Sequence, residues 1–170
     1  LCCVFLVVSP FSLCAEDWPQ AQGSNRDNKS KETGLLDKWP KDGPTLLWTF
    51  RQSGVGYSGP AVVSDRIYIM GGRNSRAELL SIDAASGELL WSKPVNNKIF
   101  DFEGNSWGAG PRATPTVAGE MIYALAGDGE LAAFNMEGEL QWQVNMVNDL
   151  GGSISIVDAG EPETLSLIHI

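Results

Sequence analysis

Asp83, Gly87 and Trp91 stand at four-residue intervals in SIDAASGELLWSK, residues 81–93. A carboxylate so placed can act as a general base or a metal ligand, or it can accept the amide N–H groups of a turn. A later stretch, NMEGELQW, supplies Asn135, Gly138 and Trp142 in the same roles, with one residue fewer in the turn. Asparagine replaces aspartate in a turn, but it is a poor base and a weaker metal ligand. The spacing therefore predicts architecture. The side chain at 83 or 135 holds turn amides, Gly87 takes the positive φ of a tight hairpin, and Trp91 wedges its ring between neighbouring layers.

Other chemistry-bearing stretches fail on their surroundings. GVGYSG, residues 54–59, matches G-x-G-x-x-G. A dinucleotide site needs a helix directly after that motif, and here Pro60 and the strand-like AVV follow. GDGEL and NRDN offer oxygens, yet calcium wants six to eight of them converging, and neither stretch spaces its carboxylates that way. A serine hydrolase set is unsupported, since the one histidine is His169 near the end of the chain. No catalytic residue and no metal ligand is assigned.

The 170 residues carry 12 Lys plus Arg against 21 Asp plus Glu, a net charge of −9. That excess excludes a nucleic-acid surface, which needs clustered cations, and disfavours an anionic membrane surface. The opening LCCVFLVVSPFSLCA is uncharged and too short to span a bilayer comfortably. It reads as the apolar region of a signal peptide with an incomplete N-terminus, residues 1–15, which implies export to a periplasmic or extracellular space. All three cysteines, Cys2, Cys3 and Cys14, lie in that leader. The remainder then has no disulfide and no thiolate ligand.

Residues 16–43 are polar and aperiodic, an irregular N-terminal segment expected to be anchored by Trp18, Leu35, Leu36 and Trp39. From there to 152 the chain is short apolar runs closed by Gly, Pro, Asp or Ser, which predicts an all-β protein. The runs repeat: SGPAVVSDRIYIM aligns with ATPTVAGEMIYAL, and SGELLW with EGELQW. Pro60 to Pro115 gives a period of 115 − 60 = 55, and Trp91 to Trp142 gives 142 − 91 = 51. An insertion around GGRNSRA accounts for the difference. Units of that length with four short strands each predict β-propeller blades, here about two complete blades. TLLWTF around Trp48 is expected to be an outer strand that closes a further blade. In such blades RIYIM and MIYAL can be apolar throughout, because neighbours cover both faces.

Asp-x-x-x-Gly-x-x-x-Trp resembles the tryptophan-docking repeat of the pyrroloquinoline quinone (PQQ) propeller superfamily. DWPQAQGSNRDNKSKETGLL, GYSGPAVVSDRIY and GPRATPTVAGEMIYALAGDGEL are similar to segments of secreted bacterial PQQ-like repeat proteins. The resemblance covers residues 18–152 and implies a propeller of about six to eight blades, the others supplied by further chain that closes the ring. Residues 153–170 stand apart as a tail. Its LSLIHI resembles translated sequencing-adapter text, and the last residues are expected not to be native.

The superfamily holds both quinoprotein dehydrogenases and a cofactor-free scaffold of outer-membrane assembly. The reading favours a binding or assembly scaffold with no cofactor evident, engaging a protein or small-molecule ligand on the propeller face. The alternative is an alcohol or sugar dehydrogenase holding PQQ and calcium, an assignment carried by the family alone, with most ligands in blades beyond these two. DFEGNSWGAGPR, residues 101–112, joins an outer strand to the next inner strand, and ligand faces are built from such connections. Trp107 and Arg112 are the candidates there, with Tyr57 from the equivalent connection before the first repeat.

Overall fold

The computed structural model describes residues 16–101 and 108–153. Within them the alternation of aliphatic runs and turns of two to five residues produces eight strands in two like units. They are β1 (Ala61–Val63), β2 (Arg66–Arg73), β3 (Arg76–Asp83), β4 (Leu89–Pro94), β5 (Thr116–Ala118), β6 (Met121–Leu125), β7 (Glu130–Asn135) and β8 (Leu140–Asn145). They pair in chain order into two four-stranded antiparallel sheets, β1-β2-β3-β4 and β5-β6-β7-β8. These are the two blades that the repeats predict.

The registers repeat as closely as the sequence does. Ala61 faces Tyr68 in the first sheet as Thr116 faces Tyr123 in the second. The first turn of blade one is Ser64-Asp65, with Ser64 in the left-handed region at φ 54°. Its counterpart is Gly119-Glu120. Both blades also slip register at the same place, between Ser81 and Ile82 and between Ala133 and Phe134. That bulge precedes the turn holding Asp83 or Asn135.

The insertion in the first blade lengthens one hairpin. β2 and β3 have eight residues each, against five in β6 and six in β7. Asn74 and Ser75 close the longer hairpin with φ of 49° and 62°, the pair of positive values that matches strand twist. Near its tip the hairpin is crossed by the segment arriving from Trp48. Val55 exchanges backbone bonds with Gly72 at 3.1 and 2.6 Å, and a Cβ on Gly71 would stand 1.6 Å from the Ser53 carbonyl oxygen. The two adjacent glycines let backbone pass over backbone.

The core lies between the blades. From the first come Ala61, Tyr68, Met70, Ala77, Leu79 and Val95; from the second come Val117, Ile122, Ala124, Ala126, Ala132 and Phe134. Alternation along each strand makes this one face per blade. Leu80 and Ile82, on the opposite face of β3, are also buried, so that strand is apolar on both sides.

TLLWTF forms no strand among the described residues, and Leu46 and Leu47 are exposed; the inner strands of the blade it is expected to close belong to further chain. The run is an extended arm that seats Trp48. One expectation changes. Leu35, Leu36 and Trp39 are likewise exposed and anchor nothing among the described residues; of the four proposed anchors only Trp18 is seated.

Gly71→Ala should lower stability by more than about 2 kcal/mol, since the clash is with backbone and has no side chain to yield. Gly119→Ala has nothing within 4 Å of its Cβ and should cost only about 1 kcal/mol, from its positive φ. Denaturant melts of the two variants check the contrast.

Candidate functional site

The Asp/Asn-Gly-Trp elements assemble across blades. Asp83 Oδ1 accepts the N–H of Ser86 at 2.7 Å, its hydroxyl at 2.8 Å and the N–H of Ala85 at 3.1 Å. Gly87 follows at φ 74°. In the second blade Asn135 Oδ1 accepts the N–H of Glu139 at 2.8 Å and of Glu137 at 3.2 Å, and Gly138 has φ 79°. Two tryptophans then rest on the glycine of the blade that follows them. The Trp48 ring lies where a Cβ on Gly87 would be, 2.6 Å away, and Trp91 does the same at Gly138, 2.9 Å away. Trp142, on the last strand, is 44% exposed. Tyr68 and Trp91 pair their rings at 6.0 Å, and Tyr123 and Trp142 at 5.9 Å.

The two docked indoles differ in one bond. Trp48 Nε1 donates to the Ala84 carbonyl, 3.1 Å away in the turn. The corresponding carbonyl under Trp91 is that of Met136, and it accepts from Arg66 Nη1 at 2.7 Å. Trp91 Nε1 is buried with no hydrogen-bond partner. Arg66 thus ties the start of β2 to the far blade. The sequence reading missed it, because an arginine opening a strand looks like any exposed cation.

At the connection face, Tyr57 and Arg112 come together. The guanidinium carbon stands 4.9 Å from the Tyr57 ring centroid, and Arg112 Nη2 donates to the Gly108 carbonyl at 3.0 Å. The Tyr57 N–H donates to the Pro111 carbonyl at 2.8 Å, and Ser58 Oγ donates to that of Ala113 at 2.8 Å. The pair is therefore fixed by backbone on both blades while the Tyr57 side chain stays exposed. Trp107, the third candidate, lies outside the described residues.

A buried carboxylate also escaped the sequence reading. Glu78 is 3% exposed in the long hairpin and accepts bonds from Ser92, Asn74 and Arg76, with Arg73 Nη1 3.6 Å away. Burial pushes its carboxyl up, but those donors outweigh it and hold it below the usual range. The signal was a charge inside the apolar run AELL, with two arginines, Arg73 and Arg76, just before it. Between the blades, Asn96 Nδ2 donates to Asp128 Oδ1 at 3.0 Å, and Gln143 and Asn145 donate to the two oxygens of Glu130. Asn96, Asp128, Glu130 and Gln143 border an open cavity of about 270 Å³. No group of three metal-ligating side chains converges among the described residues. Nor is any helix there long and apolar enough to cross a membrane.

A family model described as outer membrane protein assembly factor BamB matches residues 36–165. The match runs past Gly152, where the sequence resemblance was taken to end. Among solved structures, the quinohemoprotein alcohol dehydrogenase from Comamonas testosteroni is similar at 20% identity and TM-score 0.57, over 78% of this chain and 20% of that one. A europium-containing methanol dehydrogenase aligns at 17% identity and TM-score 0.45, over 59% of this chain and 18% of that one. BamB from Moraxella catarrhalis aligns at 22% identity and TM-score 0.40, over 59% and 29%. The chain thus spans well under a third of the structures it matches. No curated protein matches.

The Asp83 carboxyl lies below its ordinary value, chiefly through the Ser86 N–H, with the Ser86 hydroxyl and Ala85 N–H adding. A carboxyl depressed in the fold stabilises fully above its unfolded value of about 4 and loses that contribution as pH falls through the folded value. Asp83→Asn should therefore melt with a shallower loss of stability below about pH 4 than the parent chain. Equal slopes in thermal melts would exclude the assigned role.

Proposed function

The chain belongs to the PQQ-repeat propeller family of outer membrane protein assembly factor BamB, and from that premise we propose that it is part of an exported propeller scaffold that binds protein. The observation that carries this reading is the Tyr57–Arg112 pair. An exposed aromatic ring and a guanidinium, both braced by backbone across two blades, present a pre-set contact at little entropic cost. Arginine and tyrosine are favoured anchors of protein interfaces.

Trp142 supports a larger ring. It carries the ring that sits on a glycine in the two preceding cases, and a third blade would offer the next glycine. The reading thus places these two blades beside others of a closed propeller.

The described residues do not supply the donor set of a quinone and calcium site. Asp83 is bonded to its own turn, and Asp128 and Glu130 to the amides of Asn96, Gln143 and Asn145. No quinone step is derived from them.

Deleting the gene in its source organism is expected to lower outer membrane protein levels. Restoring it with Tyr57→Ala and Arg112→Ala together should fail, while the unaltered gene restores them. The double variant should lose only about 1 kcal/mol of stability, the size of an exposed cation–π contact. Unchanged outer membrane protein levels, together with alcohol-dependent dye reduction by the purified protein given PQQ and calcium, would replace this reading with a quinoprotein dehydrogenase.

A further inference from the structure

The first strand of each blade, β1 and β5, pairs on one side only with the rest of its sheet. Free strand edges of this kind are templates for any extended chain. Here one short segment of the chain covers both. Trp18 exchanges two backbone bonds with Val62 of β1, N–H to carbonyl at 2.7 and 2.8 Å, and one residue later the Pro19 carbonyl accepts the N–H of Val117 in β5 at 2.8 Å. Asp17 Oδ1 accepts the N–H of Ser64, at the β1–β2 turn, at 2.7 Å.

The residue types suit this crossing. Pro19 lacks an N–H, and only its carbonyl is used. Asp17 offers a charged acceptor to a turn amide. Trp18 is half-buried and rests on Gly23, a buried glycine at φ 79° whose Cβ would lie 2.8 Å from the ring. The segment then bonds to itself: the Gln20 amide donates to the carbonyls of Gly23 and Ser24, and the Ser24 hydroxyl to that of Asp17. Its ring support is therefore its own, and its attachment to these two edges is four hydrogen bonds. By contrast, β2 and β3 pair along eight residues each. A segment held this way opens far more readily than the blades beneath it.

We propose that the adjoining free edges of β1 and β5 form a groove that accepts an extended peptide, an aromatic residue followed by proline, and that residues 17–19 are its built-in, displaceable occupant. Strand addition of this kind draws affinity from main-chain bonds, and the aromatic ring adds to it by folding back on a glycine later in the same peptide, as Trp18 does on Gly23. The inference is independent of the Tyr57–Arg112 face and of the scaffold reading.

A labelled synthetic peptide of residues 16–24 tests it against the full chain. Trp18→Ala weakens the resident segment without altering β1 or β5. Fluorescence anisotropy should show the peptide binding that variant at least about tenfold more tightly than the parent chain. Amide exchange at Val62, Ser64 and Val117 should quicken in the variant and slow again when peptide is added, with β2, β3, β6 and β7 unchanged. Gly23→Ala, which disturbs the ring's seat alone, should behave in the same way. No binding to either variant, or equal binding to variant and parent, overturns the proposal. Loss of protection throughout the blades in both variants also overturns it, since the segment would then be an integral strand.

Discussion

An indole ring resting on a glycine of the next blade is the contact on which the rest of the architecture depends. Sheets twist, and two twisted sheets packed face to face meet well at the middle and diverge towards their outer strands. The apolar cluster from Tyr68 to Phe134 fills the middle. At the outside, Trp48 and Trp91 reach across to Gly87 and Gly138, where a positive φ and a missing Cβ let the ring come down on the backbone. Glycine is required there twice over, for the turn and for the ring. The Asp83 or Asn135 side chain only holds the turn in the shape that presents it.

The same contact shows how a repeat tolerates local change. Trp48 both packs and donates to Ala84, whereas Trp91 packs while Arg66 takes the equivalent carbonyl of Met136. An indole N–H left buried costs stability, yet the arginine bond is charge-assisted and stronger than the neutral bond it displaces. Ring burial survives in both copies, and the polar bond is what varies. Burial is the invariant part of the interaction.

Much of this was legible because repetition reveals which features are architectural. The Asp83-to-Asn135 replacement separated turn chemistry from catalysis, and the aligned RIYIM and MIYAL located the second strand of each blade. Less legible were features that the two repeats do not share. Arg66 aligns with Met121, so it could not be read by comparing copies, and Glu78 aligns with Glu130 but is buried only beside the longer hairpin. Leu35, Leu36 and Trp39 looked like anchors because large apolar residues usually bury, but no described element lies over them. TLLWTF has strand composition but no partner edge among the described residues, and composition does not say which strand it pairs with. At the connection face, chemistry-bearing side chains nominated Tyr57 and Arg112, while the acceptors that fix them, the carbonyls of Pro111 and Gly108, are main-chain and leave no trace in residue identity.

The central claim is that the blades are coupled through Trp91 and Gly138, and a double-mutant cycle tests it most directly. Trp91→Ala and Gly138→Ala should each destabilise by about 2–4 kcal/mol. If the alanine at 138 acts by lifting the ring, the double variant should lose at least about 1 kcal/mol less than the sum of the two. Strict additivity in denaturant unfolding would contradict the account, leaving Gly138 as a turn residue and Trp91 as an ordinary core ring.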